Sequence, residues 1–400
     1  MNATQFAIPG IRLGTAAAGI KYPDRDDMVV IEVAEGASCA AVFTRNAFCA
    51  APVQLAKKHL ALRSPRYLLI NSGNANAGTG DQGMQDAHAC CRVLAETVAC
   101  QPDQVLPFST GVIGEGLPVE RIHDALPAAI DNLSTGSWET ASRAILTTDT
   151  RPKLRSRHFE FEGVQVRLTG MAKGSGMICP DMATMLAYLA TDLSISQALL
   201  QACLDDAVKP SFNSITVDGD TSTNDACVLM ASGASTLAPL TERGSDLYKK
   251  FVDEVTELCM ELARDIVRDG EGATKLVEIL VQDAADEKEA RRVAYTIAHS
   301  PLVKTALFAS DPNWGRILAA VGRAGLAGFD IDRVEIWLDD TCIVRNGGRA
   351  AEYTEQAGAS VMSRDEFTIR VMLGRGDMLA RVATCDLSYD YVKINAEYRT

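Results

Sequence analysis

The 400-residue sequence lacks the spacings that commonly mark metal, disulfide and hydrolase sites. Its eleven cysteines include no CxxC pair, and its five histidines include no HExxH spacing, so we expect no metal site. No GxSxG nucleophile elbow occurs either. We interpret the cysteines as mostly buried, reduced thiols that behave as small hydrophobic side chains.

Long apolar runs and excess basic charge are also missing. No uninterrupted apolar stretch reaches about 18 residues, and no basic segment precedes an apolar one near the first residue, so we expect neither a membrane span nor a secretory signal. The 39 Lys and Arg against 52 Asp and Glu give a formal charge of −13. Because an acidic surface repels phosphate backbones, nucleic acid is not expected as a partner. The sequence therefore predicts a cytoplasmic protein.

Apolar, β-branched runs predict strands, and apolar residues at helical spacing predict helices. The predicted strands are 28–34, 39–44, 66–72, 183–192, 226–232 and 275–282, with a hairpin over 159–170 that turns at Glu162-Gly163. The predicted helices are 86–100, 119–133, 137–148, 196–209, 246–268, 287–299 and 313–324. Segment 183–192 is apolar on both faces, as in a strand covered on both sides. This mixture indicates an α+β layered fold, with its softest boundary near 270–275.

Two segments partly match ligand-binding loops. "GTGDQG" (78–83) fits GxGxxG, but "GNANA" separates it from its strand, which favours a flexible connection over a nucleotide loop. "VDGDTSTND" (217–225) begins like a calcium loop. Thr223 stands where the loop's glycine belongs and Leu229 where its bidentate glutamate belongs, so we interpret the segment as a turn.

A glycine-rich segment, "FSTGVIGEGL" (108–117), leads into a predicted helix and is expected to be a loop. Glycine lets backbone N–H groups converge because no Cβ stands in the way. The amides around Thr110 and Gly111 are therefore candidates for an oxyanion nest.

Thr184 stands between a bent loop and a predicted buried strand. Gly174, Gly176 and Pro180 bend "KGSGMICPDMA", which would strain or expose the peptide bond that follows Ala183. If the Thr184 hydroxyl attacked this carbonyl, an N-to-O shift would give an ester, and water would then cut the chain. The new N-terminal threonine would have a nucleophile and a base in one residue, since an α-amine has an ordinary pKa of about 7.7–8.0.

The segment "KGSGMICPDMATMLAYLATD" closely resembles the self-cleavage segment of the ornithine acetyltransferases, the glutamate N-acetyltransferases of the cyclic arginine pathway. Further matches run along essentially the whole chain: "NSGNANAGTG", "STGVIG", "TTDTRPK", "DGEGATK", "SDPNWGR" and "NAEYRT". Six separated matches in register make the resemblance specific. Cys179 and Asp181 replace an expected alanine and asparagine, but neither is the nucleophile or the cleaved carbonyl.

The resemblance implies cleavage between Ala183 and Thr184. The products would be an α chain of residues 1–183 and a β chain of residues 184–400, assembled as two of each. Thr184 would take acetyl from N-acetylornithine and pass it to glutamate in a ping-pong reaction that uses no metal or organic cofactor. The resemblance leaves open whether acetyl-CoA is also a donor.

The resemblance also implies the site residues. Thr110 and Gly111 would form the oxyanion hole. The implied substrate contacts are Thr150, Lys173, Thr184, Glu271, Asn395 and Thr400. Lys173 suits a substrate carboxylate, and Glu271 suits the additional amine of ornithine.

The implied fold is an αββα layered sandwich over residues 1–272, with a smaller α/β domain over 273–400 that completes the substrate site. Two other functions stay open at this stage. One is a self-processed aminopeptidase or amidase of the same fold, in which water replaces glutamate as the acceptor. The other is a non-catalytic amino-acid-binding protein whose chain stays intact.

Overall fold

A computed structural model describes residues 6–179 and 185–397. The strands in this part of the chain are β1 (Ile11–Ala16), β2 (Met28–Val33), β3 (Ser38–Phe43), β4 (Tyr67–Asn74), β5 (Val105–Val112), β6 (Lys153–Phe161), β7 (Val164–Lys173), β8 (Leu186–Thr191), β9 (Ile215–Thr216), β10 (Ala226–Ala231), β11 (Leu276–Ala284), β12 (Glu335–Leu338), β13 (Thr341–Arg345), β14 (Gly348–Arg349), β15 (Glu366–Met372) and β16 (Met378–Cys385). The α-helices are α1 (Ala51–Leu62), α2 (Gly80–Thr97), α3 (Val119–Asp131), α4 (Trp138–Ala144), α5 (Gln197–Val208), α6 (Asp246–Arg268), α7 (Glu287–Ala298), α8 (Pro301–Phe308), α9 (Trp314–Gly322), α10 (Glu355–Met362) and α11 (Tyr389–Ala396). Among these helices, none is both long and apolar enough to span a bilayer.

The chain forms two compact units. The first comprises Met1–Asn213 and Asp220–Ile266, and the second comprises Ser214–Gly219 and Val267–Thr400. The sequence placed the boundary at 272/273, whereas the structure divides the chain inside the last turn of α6.

The end of α6 belongs to the second unit because its contacts lie there. Arg268 forms an ion pair with Glu366 of β15, and Gly270 lies against Val217. The short strand β9, in the segment 214–219, pairs with β16 and so joins the second unit as well.

The first unit is a layered sandwich of two sheets. One sheet has the strand order β1-β2-β4-β5, and the other has the order β3-β10-β8-β7-β6. Because side chains alternate along a strand, Val29 and Ile31 of β2 share an inner core with Tyr188 of β8, whereas Met28 and Val30 share an outer core with α2 and α3. Helices α5 and α6 lie on the second sheet. The predicted αββα sandwich is confirmed.

Strand β8 lies in the centre of the second sheet. All six of its residues are buried. Leu186 pairs with Ala226 of β10 in parallel and with Lys173 of β7 in antiparallel orientation. The prediction of a strand covered on both sides is therefore confirmed for Leu186–Thr191, while Ala183 and Thr184 lie outside the described residues.

The second unit contains a seven-stranded sheet in the order β14-β13-β12-β15-β11-β16-β9. Strand β11 is central, with β15 parallel on one side and β16 antiparallel on the other. Its apolar residues Val277, Ile279 and Val281 pack with buried residues of α7 such as Val293 and Ile297. This unit corresponds to the predicted smaller α/β part of the fold.

Candidate active site

Thr110 and Gly111 lie at the end of strand β5, so the prediction of a loop over 108–117 is wrong for residues 108–112. The strand continues because β4 provides a parallel partner, with Gly73 opposite Gly111. Gly111 has φ +136°, and a Cβ there would lie 2.2 Å from the carbonyl carbon of Gly73. Only glycine fits this approach of two backbones.

Buried amides hold the ends of β4 and β5 in place. Asn71 donates to the carbonyl of Asn74 (2.9 Å) and accepts from the hydroxyl of Ser109 (2.6 Å). Asn224, in the turn before β10, donates to the carbonyls of Ala75 (2.6 Å) and Ser109 (2.9 Å). Since buried polar groups need partners, Asn71 and Asn224 satisfy backbone groups of the strand ends next to the predicted oxyanion pair.

A buried charge cluster lies beside Thr110. Lys173 donates from Nζ to Thr110 Oγ1 (3.3 Å), and its Nζ lies 3.9 Å from Asp149 Oδ2. Asp149 Oδ1 accepts from Lys153 Nζ (2.5 Å) and from the Gly174 N–H (2.7 Å). Burial opposes ionisation of Asp149, but the charges of Lys173 and Lys153 and these hydrogen bonds together hold its pKa below the ordinary value.

The structure thus brings two of the predicted site residues, Thr110 and Lys173, into contact. Asp149 was not predicted, although it lies in the motif "TTDTRPK" and has Lys153 four residues later, a signal that could have identified it. Thr150, the predicted substrate contact in that motif, is exposed in the turn between α4 and β6. Thr184 lies outside the described residues.

The second unit brings Glu271 and Asn395 together. Asn395 Nδ2 donates to Glu271 Oε2 (2.7 Å), and the Glu271 side chain is buried. The loop is fixed by Gly272, which has φ +69° and whose carbonyl accepts from Ser388 Oγ (2.6 Å). The sixth predicted substrate contact, Thr400, lies outside the described residues.

The turn predicted over 217–225 is irregular in the structure, as expected. Its second half contacts the described residues on both sides of the predicted cleavage bond: Thr221 Oγ1 donates to the Cys179 carbonyl (3.1 Å), and the Ala226 N–H donates to the Met185 carbonyl (3.0 Å). Within residues 6–179 and 185–397, no three His, Cys, Asp or Glu side chains are grouped so as to hold a metal ion.

Comparison with known proteins connects this arrangement to one family. The ArgJ family matches residues 12–400. The arginine biosynthesis bifunctional protein ArgJ of Methylococcus capsulatus is 63% identical over 393 residues, which cover 98% of this chain and 96% of the relative. The protein of the same name from Pseudomonas fluorescens is 54% identical over 397 residues, or 99% of this chain and 98% of the relative. The crystal structure of the Bacillus halodurans protein of that name is similar with a TM-score of 0.50 and 38% identity, over 52% of this chain and 97% of the solved chain. The chain therefore belongs to the ArgJ family, the bifunctional acyltransferases of arginine biosynthesis.

Proposed function

We propose that this acyltransferase moves acetyl from N-acetylornithine to glutamate through an acetyl ester on Thr184, after self-cleavage between Ala183 and Thr184. The observation that supports it best is the position of the Thr110–Lys173 contact. Lys173 pairs with Leu186 at the start of β8, two residues after Thr184 along the chain. Thr110, of the predicted oxyanion pair, and the predicted carboxylate-binding lysine thus lie together beside the first residue of β8, which follows the proposed nucleophile by two residues in sequence.

In the proposed reaction the α-amine of Thr184 accepts the hydroxyl proton, and Thr184 Oγ attacks the acetyl carbonyl. A well-placed base contributes about 10²–10⁴ in rate. Thr110 and Gly111 then stabilise the oxyanion of the tetrahedral intermediate, at about 10²–10³ in rate for each donor. Ornithine leaves, and the amine of glutamate attacks the ester in the second half of the ping-pong cycle.

The substrate contacts follow from charge. Lys173 binds a substrate carboxylate in our proposal, and Asp149 keeps this buried lysine cationic and fixed. Glu271, held by Asn395, provides a carboxylate for the additional amine of ornithine. Thr150 and Thr400 remain proposed contacts on the basis of the family resemblance.

Three further features belong to the proposal. The Bacillus halodurans chain is matched over 97% of its length by only 52% of this chain, which supports a protein made of two fragments; we propose that it assembles as α2β2. The relatives are named bifunctional, which supports acetyl-CoA as a second acetyl donor. We also propose that the protein is cytoplasmic, as the sequence predicts.

A denaturing intact-mass spectrum tests the cleavage. Scaling 42.9 kDa by 183/400 and 217/400 gives fragments of about 19.6 and 23.3 kDa, the larger beginning with threonine. Thr184→Ser keeps the hydroxyl and should still be cleaved, whereas Thr184→Ala should stay whole. A folded wild-type protein that remained at 42.9 kDa would contradict the proposal, because the α-amine base would not exist.

An acyl-transfer assay tests the acceptor. The cleaved enzyme is loaded with labelled acetyl from N-acetylornithine, and loss of the ester is followed with and without glutamate. Glutamate should accelerate the loss and appear as N-acetylglutamate. Equal rates in both samples would instead support the amidase alternative, in which water is the acceptor.

A further inference from the structure

Glu271 and Asn395, two of the predicted substrate contacts, come from segments of the second unit that are far apart in sequence. Glu271 lies in the loop between α6 and β11, and Asn395 lies in the last turn of α11. Their side chains meet through a hydrogen bond from Asn395 Nδ2 to Glu271 Oε2 (2.7 Å). The geometry of this pair therefore depends on how the loop and the helix are held together.

Helix α11 has little apolar packing to hold it. None of the described residues 389–396 is buried, and Tyr389 and Val392 are exposed. The ring of Tyr389 meets that of Phe308 in α8 edge to face. Since most helical stability in proteins comes from a packed apolar face, a helix without one depends on polar contacts for its position.

A single hydroxyl group joins α11 to the loop. Ser388 is the N-cap of α11, and its Oγ accepts from the Tyr391 N–H (3.4 Å). The same hydroxyl donates to the carbonyl of Gly272 (2.6 Å), the residue after Glu271. The approach is close, because a Cβ at Gly272 would lie 2.6 Å from Ser388 Oγ. Ser388 thus ties the first turn of the Asn395 helix to the backbone beside Glu271.

Asp386, two residues before Ser388, fixes the other end of the loop. Its buried side chain accepts at Oδ1 from the N–H groups of Thr274 (2.8 Å) and Lys275 (2.9 Å), and at Oδ2 from Thr274 Oγ1 (2.7 Å). These three hydrogen bonds anchor the residues that lead into β11. With that end anchored, the hydroxyl of Ser388 sets where the beginning of the loop lies relative to α11.

We propose that Ser388 is a positioning residue of the acetyl transfer, because its hydroxyl holds Glu271 and Asn395 together as one binding group for the side-chain amine of ornithine. This inference rests on the proposed function, which assigns that amine to Glu271, and adds to it the residue that orders this part of the site. A binding group that is already ordered costs less to immobilise, so the tie increases the affinity for N-acetylornithine. Glutamate has no side-chain amine, and the tie should matter little for it.

The test compares two serine caps in the cleaved, full-length enzyme. Ser388→Ala removes the tie. Ser300→Ala is the matched control, because Ser300 caps α8 in the same unit, is equally buried and accepts from the Val303 N–H at the same 3.4 Å. Each substitution is made in the wild-type chain and in Glu271→Gln. For every variant, kcat/KM is measured separately for N-acetylornithine and for glutamate, and thermal unfolding is followed by circular dichroism.

We expect Ser388→Ala to lower kcat/KM for N-acetylornithine by about 10- to 10²-fold, since misplacing a positioning group by about 1 Å can cost 10²-fold. The value for glutamate should stay near that of the wild type. In Glu271→Gln the same substitution should have little further effect, because residues that act through each other are not additive. Ser300→Ala should lower the unfolding temperature to a similar degree and change neither kinetic value.

A Ser388→Ala enzyme with unchanged kcat/KM for N-acetylornithine would overturn the inference and leave the proposed function intact. Equal losses for both substrates, or an undiminished loss in the Glu271→Gln background, would overturn it too, since Ser388 would then only support the fold. If Glu271→Gln alone left kcat/KM for N-acetylornithine unchanged, the role of Glu271 in the proposed function would be wrong, and the inference would fall with it.

Discussion

At the scale of single residues, the buried carboxylate of Asp149 gives a testable prediction about stability. Its side chain is fully buried between Lys153 and Lys173, so Asp149→Asn would leave two buried cations without this carboxylate. Breaking a buried pair by removing one partner costs about 3–5 kcal/mol, and we expect a decrease of that size in the free energy of unfolding by urea. Glu139→Gln, which removes the exposed partner of Arg143, is the control and should cost about 0.3–0.5 kcal/mol.

The same variant has a defined pH signature. The pKa of Asp149 is lowered in the folded state, so its contribution to stability is present above its unfolded pKa of about 3.9 and is lost as pH falls through the folded value. Below about pH 3.9 the wild-type protein should therefore lose stability more steeply than Asp149→Asn. Parallel acid profiles would contradict the assignment of this carboxylate as ionised.

Asp225, a buried carboxyl group in the residue before β10, should change the pH dependence of stability in the opposite direction to Asp149. Its folded pKa is raised above the unfolded value of about 3.9, so the folded state binds more protons between the two values and stability falls as pH rises. We expect Asp225→Asn to increase the free energy of unfolding at neutral pH, with a gain that grows with pH until the folded pKa is passed. Both chains would be compared on a Thr184→Ala background, so that neither is cut. A variant that was less stable at every pH would show that the carboxyl group stabilises the fold.

Among the residues, the sequence predicted those to which a motif assigns a role, and it missed those whose burial arises only in the fold. Thr110 and Lys173 were predicted, and they are in contact. Asp149 and Asp225 were not, because a carboxylate in a polar segment is usually solvated, and the one signal at Asp149, the lysine four residues later, does not by itself indicate burial. Their burial arises from the packing of strands that are distant in sequence.

At the scale of elements, the end of β5 offers a matched pair of glycine substitutions. A Cβ at Gly111 would approach Gly73 to 2.2 Å at a φ that side chains rarely adopt, so Gly111→Ala must push the ends of β4 and β5 apart. We expect acetyl transfer to fall at least about 10²-fold, the scale of one oxyanion donor. Gly116→Ala is the control, since a Cβ there meets nothing within 4 Å. Equal steady-state rates for the two variants would contradict the proposed role of this strand end.

The elements show where sequence patterns succeed. Helix α6 has the predicted bounds 246–268, because its apolar face repeats without interruption. The hairpin of β6 and β7 turns at Glu162-Gly163 as predicted, and both residues have positive φ. The sequence pattern did not predict α1, because its apolar residues do not form a clear stripe at helical spacing. It also did not predict β5, because the proline and glycine of that segment suggest a loop. Pairing with β4 overrides that local preference.

At the scale of the whole molecule, the second sheet of the first unit determines what self-cleavage can do to the protein. Its order is β3-β10-β8-β7-β6. Strands β3, β6 and β7 would belong to the α chain, and β8 and β10 to the β chain. The two β-chain strands lie between α-chain strands, and the pairs β3–β10 and β7–β8 each join six residues across the cut. The inner core likewise combines Phe108 and Met171 with Tyr188 and Val228.

Because neither fragment could complete this sheet or this core alone, we expect the cleaved protein to behave as one cooperative structure. On size-exclusion chromatography without denaturant, the fragments of about 19.6 and 23.3 kDa should co-elute. In increasing urea, they should separate only over the range in which circular dichroism reports unfolding. Chains 1–183 and 184–400 made separately should each fail to fold. When the two are mixed in denaturant and then diluted together, they should again give the co-eluting species. Separation of the fragments with full retention of secondary structure would contradict this view, since it would require each chain to bury the edges of β7 and β8 by itself.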